Sequence, residues 1–306
     1  MRIINHSVGF FKGFFMNIKK LEAAVKTYEL KSISLASQEL GLTQSAVSHS
    51  IADLEEELGF QILTRTRKGV YLTPQGERIL PHMKAILNDC SLMLQEADSI
   101  RGVEEGTVII GTFSSVAVHL LPGILKSFEQ DYPKIEFRLK NGDYHDVEEW
   151  IARGEVDIGF VSMPASVPCI TQPLFEDRLL AILPKEHPLA SLDVLPLKLI
   201  ENEPFIGLLE TSNQDARNAV AKAGVRLNVK YNTKDDYAVI AMVENGLGMS
   251  IMPELLLKGR HDDLLVLPLV PEAKRVIGIA VAAGENAGLA TRKFTDYVVR
   301  YVKEQY

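Results

Sequence analysis

Most of this 306-residue chain predicts an α/β fold, preceded by a small helical head and one long linking helix. Three observations carry that prediction. Apolar residues at 3–4 spacing, punctuated by Gly41, mark short helices over 17–60. An apolar seam repeats every 3.5 residues on average over 75–100. Beyond residue 106, continuous apolar strands alternate with amphipathic helices, the pattern of α/β units with a largely parallel sheet.

In the head, Ile18, Leu21, Ala24, Val25 and Tyr28 form one face of a first helix, and Ile33–Leu40 reads as a second. Gly41 suits the left-handed stop, and Thr43 is placed to N-cap a third helix over Gln44–Leu58. That helix turns Ala46, Val47, Ile51, Leu54 and Leu58 inward. Gln44, Ser45, Ser48 and His49 remain on its other face. Extended segments Gln61–Thr64 and Gly69–Leu72 flank Arg65-Thr66-Arg67-Lys68, a hairpin with a cationic tip.

The long helix carries Ile79, Met83, Ile86, Cys90, Met93, Ala97 and Ile100, spaced alternately four and three apart. Such a seam normally wants a partner helix, so it reads as a dimerisation surface; the alternative is packing on its own chain. Pro81 conflicts with an unbroken helix, since an interior proline costs about 3 kcal/mol, and predicts a kink or a start near it.

The α/β part contains strands at Thr107–Thr112, Ile135–Lys140, Val156–Val161, Arg178–Leu183, Pro204–Leu209, Met249–Met252 and Ile277–Ala283. Helices are expected at Val116–Tyr132, Val147–Arg153, Asn213–Ala223, Asp235–Asn245 and Thr291–Tyr306. About two hundred such residues suit two lobes with a cleft, where ligands collect at strand carboxyl ends.

Composition narrows the function. The chain holds 33 Lys plus Arg against 40 Asp plus Glu, a net charge of −7. Residues 1–73 carry 9 against 7, or +2, which leaves −9 on the remainder. A mildly basic head on an acidic body allows the head to meet a polyanion. Two cysteines 79 positions apart argue against a disulfide framework and suit a reducing compartment. No apolar run approaches the ~20 residues that span a bilayer, and residues 1–15 lack the pattern of a secretory signal. A cytoplasmic protein is expected, with 1–15 an upstream start or a loose extension.

Ile33–Leu58 has the form of a helix-turn-helix, which holds the N-terminal half of one helix against base edges in the major groove. Gln44 can pair bidentately with adenine, and Ser48 can meet bases or phosphate. Ser34, Ser45 and His49 complete the candidate face. Arg65, Arg67 and Lys68 would add sequence-independent, salt-sensitive affinity for phosphates.

With the motifs of all three regions in order, the chain resembles the LysR-type transcriptional regulators over essentially all of 16–306. The resemblance rests on the head, on Tyr71-Leu72-Thr73-Pro74-Gln75-Gly76, and on Gly154-Glu155-Val156-Asp157-Ile158-Gly159. It also rests on Val243-Glu244-Asn245-Gly246-Leu247-Gly248 before Met252-Pro253. It implies a winged helix-turn-helix domain (16–74), a dimerisation linker helix (75–101), and a two-lobed, periplasmic-binding-protein-like effector domain (102–306). Lobe one would take about 106–174 plus 270–306, and lobe two about 175–269. Homodimers, often paired into tetramers, would bind double-stranded DNA at an interrupted palindrome and respond to a small effector. Two departures stand out: Ser45 where the family often has proline, and His49 at a usual arginine position.

The resemblance also places effector contacts at Ser114, Ser115, Ser162, Thr211 and Asp235. Ser212 with Asp215, and Thr233 with Asp236, fit capping boxes, and helix N-termini suit an anionic ligand. For each such residue, simple capping is the plain alternative. No GxSxG, P-loop, HExxH or complete GxGxxG is present, so neither catalysis, a metal nor a cofactor is implied. A solute-binding protein, or a small-molecule enzyme on the same two lobes, is the competing reading. The first has no use for residues 16–73, and the second lacks a catalytic constellation.

Overall fold

In the computed structural model the described residues are 17–100, 105–166, 169–209, 214–259, 263–282, 284 and 287–305. The chain forms two compact units, one ending at Leu94 and one beginning at Gln95.

In the first unit, α1 (Ile18–Glu29) is capped by Asn17, α2 (Ile33–Glu39) by Ser32 and α3 (Gln44–Leu58) by Thr43, whose Oγ1 accepts from the Ala46 amide at 3.2 Å. Gly41 and Gly59 take the left-handed conformations, φ 63° and 77°, that end α2 and α3. Strands β1 (Leu63–Thr66) and β2 (Gly69–Leu72) pair antiparallel with Arg65 opposite Val70. Arg65 therefore belongs to the strand, and the cationic tip narrows to Arg67-Lys68. Helix α4 (Pro74–Ile100) follows. A Cβ on Gly76 would lie 2.2 Å from the Ile62 carbonyl oxygen, so the start of α4 sits directly on the hairpin's entry.

Leu21, Val47, Ile51, Leu54 and Ile62 make this unit's core together with Met83 of α4. Ile79 and Ile86 pack against the same cluster. Helix α4 runs on through Pro81, so no helix start lies there. Both Pro81 and Glu77, whose carbonyl loses its usual donor, are solvent-exposed, so water can stand in for the lost bond.

The second unit is built on a seven-stranded sheet in the order β10-β6-β11-β5-β3-β4, with β7 (Leu195–Pro196) beside β11. Its strands are β3 (Gly106–Thr112), β4 (Ile135–Asn141), β5 (Ile158–Met163), β6 (Ile170–Pro184), β10 (Ser250–Pro253) and β11 (Leu264–Val281). Strands β8 (Pro204–Leu208) and β9 (Asn228–Thr233) form a separate parallel pair. The expectation of a largely parallel sheet is corrected here. The long strands β6 and β11 pair antiparallel with each other, and β5 and β10 join them antiparallel. Charged residues midway along both strands had hidden their length.

Helices α5 (Ser114–His119) and α6 (Leu121–Asp131) replace the single helix expected over Val116–Tyr132. Pro122, with no N–H to continue the ladder, sits in the first turn of α6. Helix α7 (Tyr144–Ala152) starts three residues earlier than expected because Asp143 and Asp146 form a complete capping box. The remaining helices are α8 (Gln214–Lys222), α9 (Asp236–Glu244), α10 (Glu254–Leu257) and α11 (Leu289–Gln305).

Two sets of cores define two lobes. Ile110, Ile124, Phe128, Phe160 and Phe294 fill the first, against β3, β5, α6 and α11. Leu183, Phe205, Val220 and Ile251, with Ile206, Val239 and Met252, fill the second. Strands β6 and β11 run through both, which is why a cleft lies beside them.

Candidate functional site

In the first unit, the exposed face of α3 carries Gln44, Ser45 and His49, with Ser48 half-buried beside them. Each is tethered. Gln44 Nε2 donates to Ser34 Oγ at 3.2 Å, and the Ser45 hydroxyl lies 3.0 Å from that of Thr43. His49 Nδ1 is 3.0 Å from Asp53 Oδ1, and Arg65 Nη2 reaches Ser48 Oγ at 3.4 Å. Glu55 Oε1 accepts the Ile62 and Leu63 amides at 2.7 and 2.9 Å, locking the hairpin to α3. Arg65, Arg67 and Lys68 are all exposed. These contacts join Ser34 to Gln44 and Ser48 to Arg65, while Arg67 and Lys68 stand two and three residues further along the hairpin.

Lys31 was not anticipated. At φ 51° its carbonyl accepts the Val70 amide at 3.0 Å, and its ammonium lies 5.9 Å from the Tyr71 ring centroid. A lysine at positive φ leaves no signal in sequence.

The α4 seam divides. Met83 is 2% exposed and, with Ile79 and Ile86, belongs to the head's own core, so intrachain packing accounts for that half. Cys90 is half-buried, while Met93, at 64% exposure, and Ala97 lie on the surface.

In the second unit, a cavity of about 410 Å³ opens between the lobes, lined by Ser114, Ser115, Tyr144, Asp235, Asp236 and Arg275 among others. Arg275 organises it. Arg275 and Asp177 face each other across the β6–β11 ladder, each 4% exposed. The guanidinium donates to Asp177 Oδ2 from Nε at 2.9 Å and from Nη2 at 2.6 Å. Nη2 also donates to Ser115 Oγ at 2.8 Å, and Nη1 to Tyr144 Oη. Burial opposes its charge, the carboxylates of Asp177 and Asp215 favour it, and Arg275 is held above the ordinary guanidinium value. Burial likewise pushes the Tyr144 phenol up, so it stays neutral. Tyr144 is also hydrogen-bonded to Asp215, which accepts from Ser162 at 3.1 Å.

Ser114, Ser115 and Asp235 therefore meet in one cavity, whereas Ser162 stands behind it through Asp215. Thr211 and Ser212 lie outside the described residues. The Thr233–Asp236 capping box is corrected: Asp235 is the cap, its Oδ1 accepting the Tyr237 and Ala238 amides at 2.8 and 3.3 Å. Thr233 Oγ1 instead accepts the Asp235 amide. Asp236 turns to Ser114 across the cleft. Burial raises its pKa, while the Ser114 hydrogen bond and the Arg275 charge partly offset that rise. The α9 end, one of those expected to offer amides to an anion, already holds the protein's own Asp235 carboxylate, whereas the start of α5 carries no side-chain cap. Sequence reading missed Tyr144, Asp177 and Arg275, and took Asp236 only for a capping partner. For Asp177 and Arg275 the available signal was a short charged stretch midway along each of two otherwise apolar strands, Glu176-Asp177-Arg178 and Glu272 to Arg275.

Known proteins agree with this architecture. Residues 18–77 match the model of bacterial regulatory helix-turn-helix proteins of the lysR family, and residues 101–303 match the LysR substrate binding domain. An uncharacterised HTH-type transcriptional regulator, YvbU of Bacillus subtilis, is 31% identical over 284 residues, covering 92% of this chain and 97% of the relative. A probable HTH-type transcriptional regulator of Synechococcus elongatus, LrrA, is 33% identical over 88% of this chain and 91% of its own. In fold, a full-length OxyR variant from Pseudomonas aeruginosa superposes with a TM-score of 0.77 at 20% identity, covering 94% of this chain and 95% of that one. Two matched modules that together span nearly all of the described residues leave one assignment: the chain belongs to the LysR family of DNA-binding transcriptional regulators, with an N-terminal helix-turn-helix and an effector-binding domain.

Proposed function

We propose that this regulator is cytoplasmic and reads an interrupted palindrome as a homodimer, two of which pair into a tetramer, with α3 in the major groove. Gln44, Ser45, Ser48 and His49 would face bases, Ser34 would orient Gln44, and Arg65, Arg67 and Lys68 would hold phosphates. The observation that carries this reading is the Arg65–Ser48 contact, which joins a wing cation to the base-facing helix in one surface. The exposed part of the α4 seam, Met93 and Ala97, supports pairing with a second copy. The cavity between the lobes would hold the small effector, with Ser114, Ser115 and Asp235 among its contacts and Ser162 bracing the site. Effector binding would shift the balance between lobe arrangements and so the geometry of the bound duplex.

A gel shift with the gene's own upstream region tests the head. Binding is expected with the native protein and should be lost in Arg65→Ala and in Ser48→Ala. Undiminished affinity in both variants would refute the assignment of this face.

A further inference from the structure

We propose that the cleft selects a small organic cation, an amine- or guanidine-bearing molecule whose charged end meets Asp236 and whose carbon skeleton lies against the ring of Tyr237. The proposal rests on the cleft being the effector site and names the chemistry that site favours.

The argument begins with where an anion would have to go. The two nine-residue helices that open onto the cavity, α7 and α9, offer it little. Asp143 Oδ1 accepts the Asp146 amide at 2.9 Å, Asp146 Oδ2 accepts the Asp143 amide at 3.0 Å, and Asp235 holds two amides of α9. Arg275 is largely committed, since Asp177, Ser115 and Tyr144 take four of its five N–H donors, one from Nε, two from Nη2 and one from Nη1. A carboxylate entering the cavity would find the amides of α7 and α9 and four of the five Arg275 donors already in use, which leaves it the start of the six-residue α5.

The charges point the other way. Four carboxylates line the cavity, Asp143, Asp146, Asp235 and Asp236, against two cations, Lys234 and Arg275. Asp177 already neutralises Arg275, and Asp215 adds a further negative charge behind Tyr144. Lys234 is 66% exposed and 4.0 Å from Asp143, so its charge is spent at the rim. A concave, partly dry site with a surplus of one sign concentrates the opposite sign and repels its own. Aromatic surface, here Tyr237, is the companion that ammonium groups prefer. Asp236 is a suitable counter-ion: it comes from the second lobe, faces Ser114 of the first, and an arriving cation would offset the cost of its burial.

The test is a thermal-shift comparison on the full-length protein with two matched pairs, putrescine against succinate and phenethylamine against phenylacetate, each at about 10 mM. That is about ten times a millimolar dissociation constant, enough for a readable shift. At least one amine should raise the melting temperature by a few degrees while both acids leave it unchanged. Asp236→Asn should weaken the amine by about tenfold, and Lys234→Gln should strengthen it about twofold, a gain that damage to the fold would not produce. Stabilisation by the acids and not the amines would overturn the charge class while leaving the cleft as the effector site. An amine effect unchanged in Asp236→Asn would overturn the assigned counter-ion and with it the proposal. No shift from any of the four probes would overturn the proposal together with the cleft reading.

Discussion

The head and the cleft solve opposite problems with similar side chains. On the head, Gln44, Ser45, His49 and Arg65 stand exposed, each tied to one neighbour by a contact of 3.0 Å or longer. In the cleft, serines, carboxylates and an arginine form a buried network whose central ion pair is 96% withdrawn from water. A surface that must meet a long polyanion keeps its donors available. A pocket that must recognise one small molecule positions its groups rigidly before the ligand arrives. The difference is energetic as well as geometric, because removing a partner costs little at an exposed contact and much at a buried one.

The largest effect follows from that contrast. Arg275→Ala leaves Asp177 buried without its partner and should destabilise the protein by about 3–5 kcal/mol, read by denaturant unfolding of the full chain. A change below about 1 kcal/mol would mean the network is solvated after all. Next in size, the head's cations should act on DNA affinity through salt. Arg67→Ala and Lys68→Ala should each flatten the slope of log affinity against log salt concentration by about one, whereas Ser48→Ala should lower affinity without changing the slope. Equal slopes in all three variants would erase the division between phosphate and base contacts.

How much of this could be read from the chain depends on sequence distance. The head's surface residues follow from one helix period and one hairpin, and Thr43, Gly41 and the exposed face of α3 stand where capping and periodicity put them. The cleft joins Ser115, Tyr144, Asp177, Asp215 and Arg275 from five elements, so no local pattern could assemble it. The lengths of β6 and β11 were missed for a related reason. Asp177 and Arg275 read as the polar ends of strands, but each neutralises the other across the ladder and permits burial in mid-strand. The α4 seam shows the same ambiguity in reverse, because a 3.5-residue repeat states that a face is apolar and not whose surface covers it.

A smaller effect sharpens the view of the cleft as a site built at some cost to stability. Burial raises the pKa of Asp236 in the folded protein above its unfolded value, so the fold binds the proton more tightly. Stability from this group is complete below the unfolded value of 3.8 and declines as pH rises through the raised one. Asp236→Asn should therefore raise the melting temperature at pH 7, with a gain that shrinks toward pH 4. A loss of stability at pH 7 would show that the Ser114 contact outweighs the buried charge.

The most direct measurement is selection of duplexes from a randomised library by the full-length protein, followed by sequencing of those retained. Two copies of α3 reading one duplex should enrich two inverted half-sites whose centres lie a whole number of helical turns apart, about 10–10.5 base pairs or a multiple. Enrichment of a lone asymmetric element, or none at all in low salt, would contradict the paired reading of DNA by this head.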